Sequence, residues 1–533
     1  MALQFLAFPA ENNEYNTRHE RQSTGIELRQ PQTPVAQTKS GLWQYSIWSY
    51  EGAEALPPSQ PQRVLRRNDI LPRYTSYDGP LTFSENEKME LTLNTLPEKR
   101  YHRLYRNIRW TWLSVYHRLN LLVILPNILV MIVLGVKHSL LNLPPSTMTT
   151  AVAANITLSV LIRQELAINI LFEMIGQIPQ SWPLRIRRLA AKIYHLGGVH
   201  SGAGVATTVW FGLYNVALVR QRQSDPVLRN KTGIFTITIV IDVLLVSILF
   251  LAMPVMRRKF HNAFEMVHRF AGWTAVALFW AQFLALADLE WRFESNNSSI
   301  FTIIAKSPVF YLLLTVTISL ILPWLRLRKV PVQAEHLSEH AIRMHFTYTN
   351  LPLCSAPRLS DNPLFEWHAF AGIPEENGTG FSVIISNAGD WTKKIISSPP
   401  TSIWVRGIPA RGVLHIAPIF RSLVIVATGS GIGPVLSLLY ARGITCRILW
   451  STKDPETTYQ RNIIEHVMHA DKNAVILNTT SMGRPDLIQE AYKMYVSSGA
   501  EAVFIISNPK VTRKAVYALE SRGVPTFAPI FDS

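Results

Sequence analysis

The sequence predicts a multi-domain chain: a six-helix transmembrane bundle, then a small β-barrel, then an α/β doubly wound domain. Three observations carry that expectation. Long apolar runs are confined to residues 119–325 of a 533-residue chain whose hydrophobic fraction, 48%, is ordinary. Residues 338–417 break into short alternating segments with Pro- and Gly-rich turns. From Leu423 onward, apolar β-branched runs alternate with helical periodicity, the pattern of a parallel sheet with crossover helices.

Composition narrows the function classes. The formal net charge of +16 fits either nucleic acid or anionic lipid as a partner. The cations cluster beside the apolar runs, which favours the lipid bilayer and no nucleic acid. The two cysteines, Cys354 and Cys446, allow no disulfide framework and no CxxC metal site, and suit a reducing, cytosolic setting. The N-terminus lacks a basic n-region and a long apolar core, so no cleaved signal peptide is expected. Residues 1–98 are rich in Gln, Asn, Ser, Thr and Pro and read as a disordered cytosolic tail. Within it, the aromatic island Leu42–Tyr50 fits docking on a domain or membrane surface equally with stray aromatics.

The bundle, residues 99–329, is expected to span the membrane at 113–136 with a kink at Pro126, then at 148–175, 194–218, 232–253, 266–287 and 307–325. Four basic segments, centred on Arg103, Arg187, Arg258 and Arg328, fall on one side by the positive-inside rule, which places both termini in the cytosol at the plasma membrane or an endomembrane. Arg220, Arg222, Arg229 and Lys231 run against that assignment, whereas the acceptors Asn296 and Asn297 suit a lumenal or extracellular loop. The second span is interrupted by Asn155, Arg163, Gln164, Glu165, Asn169 and Glu173. As one continuous helix it would carry Asn155, Arg163 and Asn169 on a common polar stripe. That stripe reads either as a salt-bridge network with other helices or as a polar pocket for a lipophilic substrate.

Residues 330–417 are expected to form the barrel and 418–533 the α/β domain. Strands are expected at Leu423–Ala427, Arg447–Trp450, Ala474–Leu477 and Ala502–Ser507, with helices at 433–441, 458–469, 485–497 and 510–522. The turn Thr428-Gly-Ser-Gly-Ile-Gly-Pro434 joins the first strand to its helix, so that backbone can approach a pyrophosphate facing free N–H groups of the helix. The same sequence also fits a tight connection with no ligand.

Glu366-Trp-His-Ala-Phe-Ala371 followed by Phe381–Lys394 resembles the flavin domain of ferric reductases and NADPH oxidases, and the chain looks closest to fungal TmpA-like membrane proteins. The resemblance implies a ferredoxin-reductase-like module with FAD on the barrel and NAD(P) on the α/β domain. It implies that His368 and Phe370 flank the flavin and that Gly389, Trp391 and Thr392 lie near the cofactors. Ala369 and Ala371 depart from the pattern, and Ser507 stands where a thiol is usual. Thr428, Gly429, Gly431, Gly433 and Pro434 would cradle the dinucleotide. Ser451 and Lys453 would read a ribose 2′-phosphate, which favours NADPH over NADH, and Phe531 would stack near the flavin or simply pack the last strand.

The same resemblance raises a haem. Two haems would need histidine pairs about 13–14 residues apart on two helices, roughly 20 Å of rise. Partners at that spacing from His195, His200, His261 and His268 are not histidine, so no outer pair exists. One inner haem between His200 and His268 remains as the candidate metal site, against a plain polar contact.

The expected function is therefore a membrane-bound oxidoreductase, passing electrons from NADPH through FAD to a lipophilic or membrane-located acceptor on the cytosolic side. A role in fungal development or secondary metabolism follows from the resemblance alone. The alternatives are a single-haem electron-transfer protein and a catalytically weak nucleotide-sensing membrane protein. No protein partner can be named from the sequence.

Overall fold

The computed structural model describes residues 95–138, 143–224, 228, 231–293, 299–375, 378–441 and 444–529. The aromatic island, the two glycosylation acceptors and Phe531 lie outside the described residues, as does the expected tail before residue 95. The end of that tail is pinned to the C-terminal domain. Leu96 packs on the core there, Arg522 Nε donates to Pro97 O at 2.7 Å, and Arg100 N donates to Ser521 O at 2.8 Å.

The longer helices of the first half are α1 (Val115–His138), α2 (Pro145–Leu161), α3 (Glu165–Gly176), α4 (Leu184–Ala190), α5 (Gly197–Ser224), α6 (Thr232–Ala252), α7 (His261–Phe293) and α8 (Pro308–Ile321). Among the described residues, five helices are long and apolar enough to cross a membrane: α1, α5, α6, α7, and α8 with its continuation to Arg326. The expectation of six continuous spans is corrected at the second. Its chain breaks at Ile162–Gln164, where the Gln164 side chain accepts from Leu166 N at 2.5 Å and Ala167 N at 3.1 Å and starts a new helix. Helix α2 stays in the bundle. Helix α3 leaves it and packs on the barrel.

That break dissolves the expected polar stripe. Asn155 exchanges reciprocal amide hydrogen bonds with Asn127 on α1, at 2.9 and 3.1 Å, and Trp210 Nε1 donates to Asn127 at 2.8 Å. Asn169 instead donates to Pro409 O at 3.0 Å and accepts from Arg411 N at 2.8 Å. The polar residues of this segment therefore serve different partners, Asn155 within the bundle and Asn169 on the barrel. Close approach of α1 and α5 depends on a small residue, because a Cβ on Gly202 would stand 2.7 Å from Asn120 O.

The barrel comprises β1 (Arg328–Pro331), β2 (Gln333–Ser338), β3 (Ala341–Phe346), β4 (Ser355–Ser360), β5 (His368–Ala369), β6 (Ile373–Pro374), β7 (Phe381–Ser386) and β8 (Ser402–Arg411). They form two four-stranded antiparallel sheets, ordered β1-β8-β4-β5 and β2-β3-β7-β6. Alternation sends Ile342, Met344, Val383, Ile385, Ile403 and Val405 into one core. Helix α9 (Asp390–Ser397) closes it with Trp391, Ile395 and Ile396.

The last domain is a five-stranded parallel sheet ordered β11-β10-β9-β12-β13, from β9 (Ser422–Thr428), β10 (Thr445–Thr452), β11 (Val475–Asn478), β12 (Ala502–Ile506) and β13 (Thr526–Phe527). Helices α10 (Ile432–Leu439), α11 (Pro455–Ala470), α12 (Leu487–Ser498) and α13 (Pro509–Glu520) lie between them. Every expected strand and helix of this domain is present, with ends shifted by a few residues. Because β9 is first in sequence but central in space, the strand order reverses beside it. The crevice beyond β9 and β12 is therefore the topological switch point.

Helix α4 joins the two halves. Arg187, almost fully buried, forks onto Glu501 at 2.6 and 3.0 Å, donates to Ile419 O at 2.9 Å, and lies 6.0 Å from the Phe420 ring. Lys192 pairs with Glu520 at 2.8 Å. Part of the basic run before α5 is thus committed to the C-terminal domain.

Candidate functional site

At the switch point the sequence builds a cleft from backbone. Gly429 takes φ +51°, a conformation that favours glycine, and opens the short 3-10 turn Gly429–Gly431 leading into α10. A Cβ on Gly431 would collide with Ile506 O of the neighbouring strand, so only glycine fits that position. Gly433 and Pro434 form the first turn of α10, whose N-terminus faces the crevice and favours an anion there. Across it, Thr428 Oγ1 and Ser507 Oγ are hydrogen-bonded at 2.6 Å. The structure thus places Thr428, Gly429, Gly431, Gly433 and Pro434 together at the C-terminal edge of β9.

Two aromatics from outside the expected site support this edge. Trp450 Nε1 donates to Gly429 O at 3.0 Å, and the buried Tyr459 hydroxyl contacts Ser386 Oγ at 3.3 Å. Burial raises the Tyr459 phenol above its ordinary range. Asp454 at φ +24° and Gln460 at φ +65° bracket the turn that carries it, a strained arrangement for side-chain-bearing residues. Ser451 is buried within β10, whereas Lys453 is exposed beyond it. Of the two, Lys453 alone presents its side chain to solvent, just past the C-terminal end of β10.

The barrel residues behave differently. The rings of His368 and Phe370 both stack on Trp391, at centroid distances of 4.2 and 5.8 Å. Trp391 Nε1 donates to Asp361 at 2.8 Å, and Lys394 pairs with Asp361 at 2.5 Å. Burial pushes the Asp361 carboxyl up, but hydrogen bonds from Lys394 and Trp391 outweigh it and hold the group below its ordinary range. Thr392 Oγ1 accepts from Ala388 N at 2.8 Å and Gly389 N at 2.9 Å, capping α9. Gly389, Trp391 and Thr392 therefore fix the helix and the His368 ring, with their polar atoms already satisfied.

The outward face of the same strands carries charges that sequence reasoning missed. Arg358 on β4 lies opposite Arg406 on β8 and Ala369 on β5. Glu165 Oε1 pairs with Arg358 at 3.1 Å, and its other oxygen accepts from Ile408 N at 2.8 Å. Arg406 lies 4.8 Å from the Trp324 ring and 4.4 Å from Trp367, and its Nε is buried without a hydrogen-bond partner among the described residues. Burial, then neighbouring Arg358, lowers Arg406 to about 9, with Glu165 opposing. Arg269 donates to Leu364 O and Phe365 O nearby. Glu165, Glu265 and Glu366 share this face with the three arginines, and it is the orphaned Arg406 N–H that fits a pyrophosphate-bearing group such as FAD. Gly407, isolated within a strand and at φ +69°, was the available signal, because it marks a close approach.

His200 and His268 face each other in the bundle with ring centroids 5.8 Å apart and planes 37° apart. His200 Nδ1 contacts Ser159 Oγ and O, both at 2.9 Å, which leaves Nε2 for another partner. His195 instead stacks on Tyr194, and His261 lies 3.6 Å from Glu265. A single facing pair is present and no group of three metal ligands occurs among the described residues.

Residues 413–533 match the family model of the C-terminal domain of adenylate-forming reductase 03009. Two curated relatives from Coprinopsis cinerea, adenylate-forming reductases 03009 and 06235, are each 42% identical over 439 and 441 residues, or 82% of this chain. The chain spans only 42% of the length of either relative. These matches overturn the resemblance to ferric reductases, NADPH oxidases and TmpA-like proteins. The short flavin-type motifs that carried it form a helix cap and an aromatic stack in this chain. Both relatives are named reductases, in keeping with the expectation of a reductase here. Among solved structures, a ferredoxin-NADP+ reductase from Neisseria gonorrhoeae with bound FAD and NADP aligns with 38% of this chain and 99% of its own, at 15% identity and TM-score 0.31. A flavohemoglobin from Malassezia yamatoensis with bound FAD and haem aligns with 70% of this chain and 98% of its own, at 12% identity and TM-score 0.34. Likenesses this weak add nothing to the topology described above.

Proposed function

We propose that this chain is an NAD(P)H- and FAD-dependent oxidoreductase module that passes electrons to a lipophilic acceptor at a membrane. The observation that carries the reading is the pairing of two unlike sites in one module: a glycine-lined switch-point crevice, and a barrel face with an orphaned arginine N–H. The first suits a dinucleotide, and the second a flavin pyrophosphate. FAD, when bound, accepts a hydride and can release electrons singly or in pairs. The protein's own residues bind and orient. Gly429, Gly431 and the start of α10 receive the dinucleotide phosphates, Lys453 favours a 2′-phosphate and hence NADPH, and Arg358 with Arg406 holds the flavin end. The helices α1, α2, α5, α6, α7 and α8 cross the bilayer in this reading, an even number that keeps residues 96–100 and the module they touch on one, cytosolic side. His200 and His268 serve as a polar contact between helices, outside the electron path.

Anaerobic addition of NADPH to detergent-purified protein tests it. A flavin spectrum that bleaches supports the reading, and well-folded protein that contains no flavin and takes none up overturns it.

The relatives' names favour a second acceptor. In it, the module serves a reductase that also forms adenylates, and an adenylate-derived group supplied by another polypeptide segment takes the electrons. NADPH oxidation that depends on such a group, and not on quinones, would select it.

A further inference from the structure

Where the bundle meets the barrel, an apolar cavity of about 360 Å³ opens beside α7 and α8. Its walls include Trp273 and Val276 on α7, Thr317 and Leu320 on α8, Trp324 beyond α8, and Leu364 from the loop joining β4 to β5. Resting on the reductase reading above, we propose that this cavity binds the ring of the lipophilic acceptor, a quinone with an apolar tail.

Four features select that occupant. The volume accommodates a substituted ring with its tail left outside. Trp273 and Trp324 meet edge to face at 5.8 Å, presenting aromatic surfaces at the cavity wall. Ile318, Ile321 and Leu325 on the same side of the bundle are exposed, so entry is from the bilayer and the tail can remain there. The wall residue Leu364 belongs to a loop that Arg269 clamps through Leu364 O and Phe365 O, and that loop leads within four residues to His368. Behind Trp324 sits Arg406, the residue already assigned to the flavin end. The acceptor ring and the flavin would thus share the Trp324–Arg406 wall, which gives a short path for electrons. The transfer balances as NADPH, one proton and quinone giving NADP+ and hydroquinone, with the two electrons and one proton delivered from the nicotinamide and the second proton from water.

The test uses the full chain in nanodiscs with a photoreactive azidoquinone, alone and in competition with decylubiquinone or with short-chain phosphatidylcholine. Crosslinks should map to residues 273–276, 317–324 or 364 and be competed by the quinone only. Filling the cavity with Val276→Trp, or independently Leu320→Trp, should cut labelling at least tenfold while NADPH still bleaches the flavin. Labelling elsewhere, labelling unchanged in both folded variants, or equal competition by phospholipid would overturn the proposal. A flavin that NADPH cannot reduce would sink the reductase reading instead, and the crosslink map would still decide whether the cavity takes a quinone.

Discussion

Arg358 and Arg406 stand directly opposite each other on adjacent antiparallel strands, and Glu165 from a distant helix is the carboxylate that pairs with Arg358. Like charges at that register are unfavourable unless something negative intervenes. Glu165 supplies part of that charge and, in doing so, ties α3 to the barrel. The buried Arg406 N–H left without a partner among the described residues is what makes the outer face a candidate anion site.

Glu165 should therefore be the anchor of α3. Its carboxylate is buried and holds both Arg358 and Ile408 N. Glu165→Ala leaves a buried backbone donor and an arginine unpartnered, and should cost on the order of 3 kcal/mol. Gly407→Ala should weaken the same contact, because a Cβ there would collide with Glu165. Limited proteolysis of the Ile162–Gln164 turn checks both, and the double variant should show less than the sum.

Arg406→Gln should lower flavin occupancy. Losing the guanidinium removes a charge-assisted donor from the barrel face, and about tenfold weaker binding corresponds to ~1.4 kcal/mol. The flavin-to-protein absorbance ratio of purified protein reports it. Retention of full occupancy would remove Arg406 from the site.

The glycine crevice was legible in the sequence because its physics is local. Gly429 and Gly431 are required by a backbone angle and by the closeness of Ile506 O, and both constraints fall within one strand–turn–helix unit. The break in the second expected span was not legible. Its polar residues look like a stripe until one knows that Glu165 and Asn169 find partners at Ile408, Pro409 and Arg411, far along the chain. Hydropathy registers the apolar character of 148–175 but says nothing of a soluble partner for half of it. The arginine row was hidden for a similar reason, since it is created by the register of β4 with β8 and has no sequence period of its own.

Gly431→Ala should weaken dinucleotide binding while sparing the barrel. The added methyl has no free space beside Ile506 O, so β9 and β12 must separate at the crevice. NADPH affinity by titration calorimetry should fall at least tenfold, about 1.4 kcal/mol, with flavin content unchanged. Loss of flavin as well would show that the defect spreads beyond the crevice.

The Arg187–Glu501 pair should make the docking of α4 acid-sensitive. Hydrogen bonding from Arg187 holds the Glu501 carboxyl below its ordinary value of 4.5, assisted by the Arg421 backbone N–H and offset by burial. A group depressed in the folded state contributes stability that is fully present above its unfolded value, and that contribution disappears as pH falls through the folded value. Acidification below pH 4.5 should therefore begin to erode that contribution in wild type, and the contact is released once pH falls through the lower folded value. Glu501→Gln should remove that sensitivity and leave Arg187 buried without its counter-charge, at a cost on the order of 3 kcal/mol at neutral pH. Urea unfolding of the C-terminal domain, followed at pH 7 and pH 4, separates the two effects: the variant should begin lower and change less. A variant that tracks wild type at both pH values would mean that Ile419 O and the Phe420 ring, rather than the carboxylate, hold Arg187 in place.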